Sequence, residues 1–145
     1  MKKIILTLAI AFSSFAVFAK DVKVNTLVLS AFNNEFNDAK EVTWTSGTGF
    51  YKASFVYNEQ HVAAFYSFDG DMLGLARNIS SLDLPINLQT SLKKDYSGRW
   101  ISELFEFSND EGTHYYITLE QADSKLTLES INGSKWSVYK KSTKA

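Results

Sequence analysis

The sequence predicts an α+β fold in which two α-β-β-β-β units form one curved antiparallel sheet with helices packed on one face. Three observations carry the prediction. Apolar residues recur at a helical period in two short stretches. After each stretch the period changes to two over four successive runs, and those runs are joined by short Gly-, Asn- and Asp-containing segments of hairpin type. Hairpin-linked strands pair antiparallel, and a helix preceding each set of four has one sheet face to cover.

In the first unit, about 26–78, Val28, Ala31, Phe32 and Phe36 fall at i, i+3, i+4 and i+8. This spacing predicts a helix over about 26–37, with Asn25 as an N-cap whose side chain accepts an orphan N–H. Val42 and Trp44 then alternate with polar residues, and Gly47 and Gly49 mark a turn. Residues 50–57 and 61–68 are β-rich runs separated by Asn58-Glu59-Gln60. Asp69-Gly70 reads as a type I′ hairpin turn, whose two central residues need positive φ. Residues 72–77 form the returning strand.

The second unit, about 83–140, opens with Leu84, Leu88, Leu92 and Tyr96 spaced four apart. Pro85 falls in the first turn of that helix, where a missing N–H costs nothing, and Gly98 ends it. Alternating runs follow at 99–107, 114–120, 125–131 and 135–139. Phe32 and Phe36 match Leu88 and Leu92 at an offset of 56, and Asp69-Gly70 matches Asn132-Gly133 at an offset of 63. The order of elements therefore reads as a repeat, with longer loops in the second half.

Alternation also sorts the strand residues by face. Tyr51, Ala53, Phe55, Tyr57, Val62, Ala64, Tyr66, Phe68, Tyr115, Ile117, Leu119, Leu126 and Leu128 make the more apolar set, expected to meet the helices. The opposite set mixes aromatic and polar groups: Phe50, Lys52, Ser54, His61, Phe65, Ser67, His114, Tyr116, Thr118, Thr127 and Glu129. An uncovered sheet face of that kind is a candidate contact surface. Cross-strand aromatic pairs on a solvated face would give the same pattern.

Composition fixes the setting of this domain. A hydrophobic content of 45% with a single Pro excludes an intrinsically disordered or collagen-like chain. Residues 1–19, MKKIILTLAIAFSSFAVFA, have two Lys, then an apolar run, then small residues before a cut after Ala19, the layout of a secretory signal peptide. The run is too short and too interrupted by Thr7, Ser13 and Ser14 for a membrane span. Cleavage would leave 126 residues (20–145) with 13 Lys plus Arg against 16 acids, a net charge of −3. The expected location is periplasmic or secreted, with no membrane span after cleavage. The chain has no Cys, so neither disulfides nor a cysteine-linked lipid anchor is available. Nucleic-acid binding calls for a basic stripe, whereas the only local basic clusters are Lys93-Lys94 and Lys140-Lys141.

The search for chemistry finds little. Cys nucleophiles are absent, and no G-x-S-x-G turn presents a serine. His61 and His114 are the only histidines, 53 residues apart and each beside a polar loop, without a metal-binding spacing such as H-E-x-x-H. Glu103 and Glu106, three apart on a strand, face opposite sides and cannot work as a pair. Asp69-Gly70-Asp71 lacks the remaining ligand positions of a calcium loop. The seven glycines are scattered singly, so no phosphate-binding loop forms. No cofactor and no enzymatic activity are expected.

The string Phe36, Ala39, Val42 and Trp44, then Tyr51, Ala53 and Phe55, then Ala64, Tyr66, Phe68, Asp69 and Gly70, then Leu84-Pro85 resembles a specific family. It is similar to the PepSY-like, β-lactamase-inhibitor-like family of secreted Bacteroidota proteins over roughly residues 26–140. The resemblance implies helix-plus-antiparallel-sheet repeats, an exported location, and a concave sheet face with loops offered to a partner. The second half departs from the pattern, with no A-x-x-V-x-W string after Tyr96.

The expected function is thus a non-enzymatic binding module that recognises a protein or peptide through the open sheet face and hairpin loops. Phe50, His61, Phe65, His114 and Tyr116 are the candidate binding residues. A narrower version is an inhibitor or chaperone of an exported hydrolase of the protease or β-lactamase class. A structural envelope component and a small carboxylate hydrolase are the other readings that fit this length.

Overall fold

The structure is a computed structural model that describes residues 22–144, so the predicted signal segment 1–19 lies outside the described residues. Its elements are α1 (Thr26–Glu35), β1 (Lys40–Gly47), β2 (Phe50–Tyr57), β3 (Gln60–Ser67), β4 (Met72–Asn78), a 3₁₀ turn (Ser81–Asp83), α2 (Ile86–Asp95), β5 (Trp100–Asn109), β6 (Gly112–Glu120), β7 (Ser124–Ser130) and β8 (Ser137–Thr143). The eight strands form one sheet in sequence order, every neighbour antiparallel. This is the predicted fold class of two helix-and-four-strand units.

Local chemistry explains each helix boundary. Asn25 caps α1, its Oδ1 accepting from the Val28 N–H at 3.0 Å while its Nδ2 donates to the Phe68 carbonyl at 2.8 Å. One side chain therefore starts the helix and ties it to the β3–β4 hairpin. Helix α1 ends at Glu35 rather than near residue 37, and the Phe36 N–H closes the last turn on Phe32 O. Helix α2 begins later than the leucine spacing suggests. Ser80 and Asp83 form a reciprocal capping box that holds 81–83 in a 3₁₀ turn. Leu84 is then extended, as the residue before a proline prefers, and Pro85 stands at the N-cap rather than inside the first turn. Leu84 and Leu88 are nevertheless both buried.

The hairpins differ from expectation in an instructive way. The type I′ geometry belongs to Asn58-Glu59, with φ of 48° and 64° between the paired Tyr57 and Gln60. Strand β3 consequently starts at Gln60. Asp69-Gly70 instead sits in a three-residue turn in which only Gly70 has positive φ (91°), with Ser67 N–H donating to Asp71 O. Residues 131–136 form a longer loop that delays β8 to Ser137 and lets it run to Thr143. That loop is anchored by Trp136, whose Nε1 donates to Leu88 O at 3.1 Å.

Two apolar clusters lie under the two helices. Val28, Phe32 and Phe36 of the first unit meet Ala53, Phe55, Ala64 and Tyr66, and the rings of Phe32 and Phe55 cross edge to face at 5.0 Å. Leu84 and Leu88 meet Leu104, Ile117, Leu119, Leu126 and Leu128. The predicted helix-facing set is therefore the one the helices cover, except that Phe68 lies beyond the end of β3 and is 47% exposed. The hairpin glycines Gly70 and Gly133 approach the start of α1 (Leu27 O) and of α2 (Pro85) respectively, matching the offset read in the sequence.

Candidate functional site

The face opposite the helices has its own buried layer. Phe65, Ala76, Phe105, Phe107 and Tyr116 form a third cluster, although among the described residues no helix packs there. Phe65 is 2% exposed and Tyr116 7%. Rings on neighbouring strands pack against one another here, Phe65 on Phe107 and Phe105 on Tyr116. Register shifts interrupt the β1–β2, β3–β4, β5–β6 and β7–β8 ladders, and irregularities of that kind increase local twist. The face has an aromatic floor.

Glycine shapes this floor. An added Cβ at Gly74 would fall within van der Waals contact of the Phe107 ring, and one at Gly47 would meet the Phe50 ring. The far end of each ring therefore occupies the space that a side chain at the glycine would fill. Phe50, Phe65, Phe107 and His114 follow one another with ring centroids 5.7, 5.8 and 6.5 Å apart. Phe105 stacks on Tyr116 at 5.0 Å, and Tyr139 meets Tyr116 edge to face at 5.6 Å.

The five sequence-predicted site residues thus divide into floor and rim. Phe65 and Tyr116 are floor residues, buried by their neighbours and not exposed contact residues. Phe50 and His114 are half-buried, and His61 is exposed at the start of β3. His61 and His114 flank different strands, and among the described residues no group of three or more His, Cys, Asp or Glu is placed to hold a metal ion.

Phe105, Phe107 and Tyr139 of this face escaped the sequence reading, which placed Lys52 and Glu129 on the face but not among the candidate binding residues. Phe105 and Phe107 alternate with Leu104 and Glu106 in β5, a signal that was present but ambiguous because both sets are bulky. Lys52 leans over the Phe65 ring at 5.8 Å. Burial lowers its pKa, against a smaller opposing effect from Glu103, whose own carboxyl is raised by burial. Tyr116 donates to Glu129 Oε1 at 3.1 Å, and burial followed by the nearby Glu129 charge raises its pKa well above the ordinary tyrosine value. Beside these lies a cavity of about 140 Å³ lined by Lys52, Ser54, His61, Asn78 and Phe105 among others. Glu106 faces away from it, bonded to Arg77 at 3.0 Å on the helix side, so Glu103 and Glu106 are separated as expected.

The overall shape is shared with solved bacterial proteins at low sequence identity. A BLIP-like protein from Bacteroides fragilis superposes with a TM-score of 0.67 at 15% identity, covering 84% of this chain and 87% of that one. A DUF2874 family protein from Bacteroides ovatus gives 0.73 at 16%, covering 84% and 89%. A candidate periplasmic protein from Bacteroides eggerthii gives 0.74 at 12%, covering 84% and 90%. No family model and no curated protein matches the sequence. The likeness establishes the eight-stranded sheet with two helices as a recurrent fold.

Proposed function

We propose that this chain is an exported, non-enzymatic binding module that holds a protein or peptide partner against its open sheet face and the adjoining hairpin loops. The observation that carries the reading is an aromatic floor on a face that neither helix covers, rimmed by Phe50, Lys52, His61, His114 and Tyr139. Tyr and Phe at the centre with polar groups around them is the anatomy of a protein-recognition patch. The cavity beside Lys52 and His61, about 140 Å³, falls below the roughly 300–1,000 Å³ of small-molecule sites. It has the size of one inserted side chain.

Two further observations support the setting. The N-terminal 19 residues have the signal-peptide layout, and the neighbours include a candidate periplasmic protein. The Bacteroides fragilis neighbour is named BLIP-like, which favours the narrower reading of an inhibitor or chaperone of an exported hydrolase. A photo-crosslinking amino acid placed at position 61 or 114 tests the broader reading. Adducts with one envelope protein from these positions, and none from position 87 on the solvent side of α2, are expected. Adducts from position 87 alone would overturn it. Inhibition of a purified β-lactamase or protease at micromolar concentration, lost in a Lys52→Glu/His61→Glu variant, would establish the narrower reading.

A further inference from the structure

Beyond the aromatic face, we propose a second docking surface, on the helix side of the sheet edge, that takes an extended acidic peptide segment as a strand added to β8. Strand β8 ends the sheet order, so its outward backbone N–H and C=O groups meet no partner strand among the described residues. An edge of that kind accepts an added strand through main-chain hydrogen bonds.

Helix α2 stops at Asp95, and beyond it a trough of about 640 Å³ lies open over β7 and β8. Its floor is apolar, made by Tyr96, Leu126 and Val138, and Arg99, Lys125 and Lys141 stand around it. No acid lines the trough among the described residues. At this end of the sheet Lys93, Lys94, Arg99, Lys125, Lys141 and Lys144 outnumber the three acids Asp95, Glu120 and Asp123. Glu120 is already engaged, by Lys144 at 3.0 Å and Lys125 at 3.8 Å. Ser102 and then Lys144 hold its carboxyl below the usual range by hydrogen bonding. The whole chain carries a net charge of −1, so this positive end is a local feature with a definite complement.

The occupant follows from that charge. A second copy pairing β8 to β8 would set Lys140 and Lys141 against the same residues of its twin, and like charges placed opposite one another destabilise a ladder. An extended segment with an apolar residue and a carboxylate two positions apart places both on one face. The first reaches the floor at Leu126 and Val138, whose ladder partners are Lys141 and Leu128 respectively. The second reaches Arg99 or Lys141. Lysines on an edge strand already serve to deter indiscriminate pairing, and an acidic strand converts that deterrent into selection.

The test uses the purified chain and a fluorescein-labelled decapeptide with Val, Glu, Val and Asp at alternate positions between Thr residues, read by anisotropy. Saturable binding is expected. It should weaken at least tenfold for the counterpart with Lys in place of each acid, at least tenfold in an Arg99→Glu/Lys141→Glu variant, and steeply as salt rises from about 50 to about 300 mM. Backbone amide shifts should concentrate in β8. Both substituted residues lie at the surface, and an unchanged circular dichroism spectrum confirms that the variant folds. Equal binding of both peptides, or amide shifts centred on Lys52 and His61 with β8 silent, would overturn the proposal. So would binding of sodium dodecanoate to the trough with no binding of the acidic peptide. A failure here leaves the crosslinking outcome at positions 61 and 114 unaffected, so the two surfaces are judged separately.

Discussion

Tyr66 offers a prediction whose sign runs against intuition. The residue is 1% exposed, with its ring among Phe32 and Trp44 at 6.4 Å from each. Its hydroxyl is buried and has no hydrogen-bond partner among the described residues. An unmatched buried hydroxyl keeps its desolvation cost, about 1–3 kcal/mol, without the compensating bond. Tyr66→Phe removes the oxygen and keeps the ring. The variant should therefore be more stable than the parent by about 1–2 kcal/mol, or roughly 4 °C of melting temperature per kcal/mol for a domain of this size. Its alkaline behaviour provides a second readout. Burial, with a smaller contribution from the Glu35 charge, pushes the Tyr66 pKa up to about 12, above the ordinary tyrosine value. In the unfolded chain the phenol ionises near its ordinary pKa while in the folded chain it stays neutral. The stability this neutral form contributes is present below pH 10 and is lost as pH rises from there through about 12. Urea unfolding of parent and variant at neutral pH and above pH 10 measures both effects. A Tyr66→Phe variant less stable than the parent by 1 kcal/mol or more, with an unchanged alkaline slope, would refute the reasoning.

Other substitutions test the turn, the floor and the cap. Glu59→Gly should raise stability by about 1 kcal/mol in chemical denaturation, because Glu59 holds φ at 64° and glycine makes the Asn-Gly pair that a type I′ turn favours. Gly74→Ala should lower it by about 1–3 kcal/mol, since the new Cβ displaces the Phe107 ring, itself 3% exposed and held against Phe65. A Gly74→Ala, Phe107→Leu double variant should recover part of that loss. Asn25→Ala removes both the α1 cap and the bond to Phe68 O, costing about 1–2 kcal/mol by thermal melting.

The element order was legible because periods of 3.6 and 2 survive in short windows. Val28, Phe32, Leu88, Ile117 and Leu128 were placed correctly for the core on spacing alone. Turn chemistry was less legible. Asp69-Gly70 has the composition of a type I′ turn and Asn58-Glu59 does not. The ladder between Tyr57 and Gln60 nevertheless forces positive φ on a glutamate, because the strand pairing on either side outweighs one unfavourable residue. The aromatic face was legible as a list of residues and not as a surface. Alternation assigns Phe65 and Tyr116 to the side away from the helices, but it carries no information about curvature. Nor does it reveal the four ladder shifts or the two glycines that leave room for the Phe50 and Phe107 rings. Ring packing buries two of the five candidates, and Phe105 and Tyr139 join the face from positions with no motif.

The positive end of the sheet is a second consequence of topology. Lys93-Lys94 and Lys140-Lys141 lie far apart in sequence, but the antiparallel order brings the end of α2, the start of β5, the start of β7 and the end of β8 to one end of the sheet. Composition alone dilutes that patch into a nearly neutral total.

The most direct test of the binding role is the affinity of a partner captured at position 61 or 114, measured by titration calorimetry against the parent and two variants. Lys52→Glu/His61→Glu on the rim of the aromatic face should weaken binding at least tenfold, and Asn87→Glu on the outer side of α2 should leave it unchanged. Equal affinity for parent and rim variant, or a loss confined to Asn87→Glu, would contradict the assignment of the aromatic face as the recognition surface.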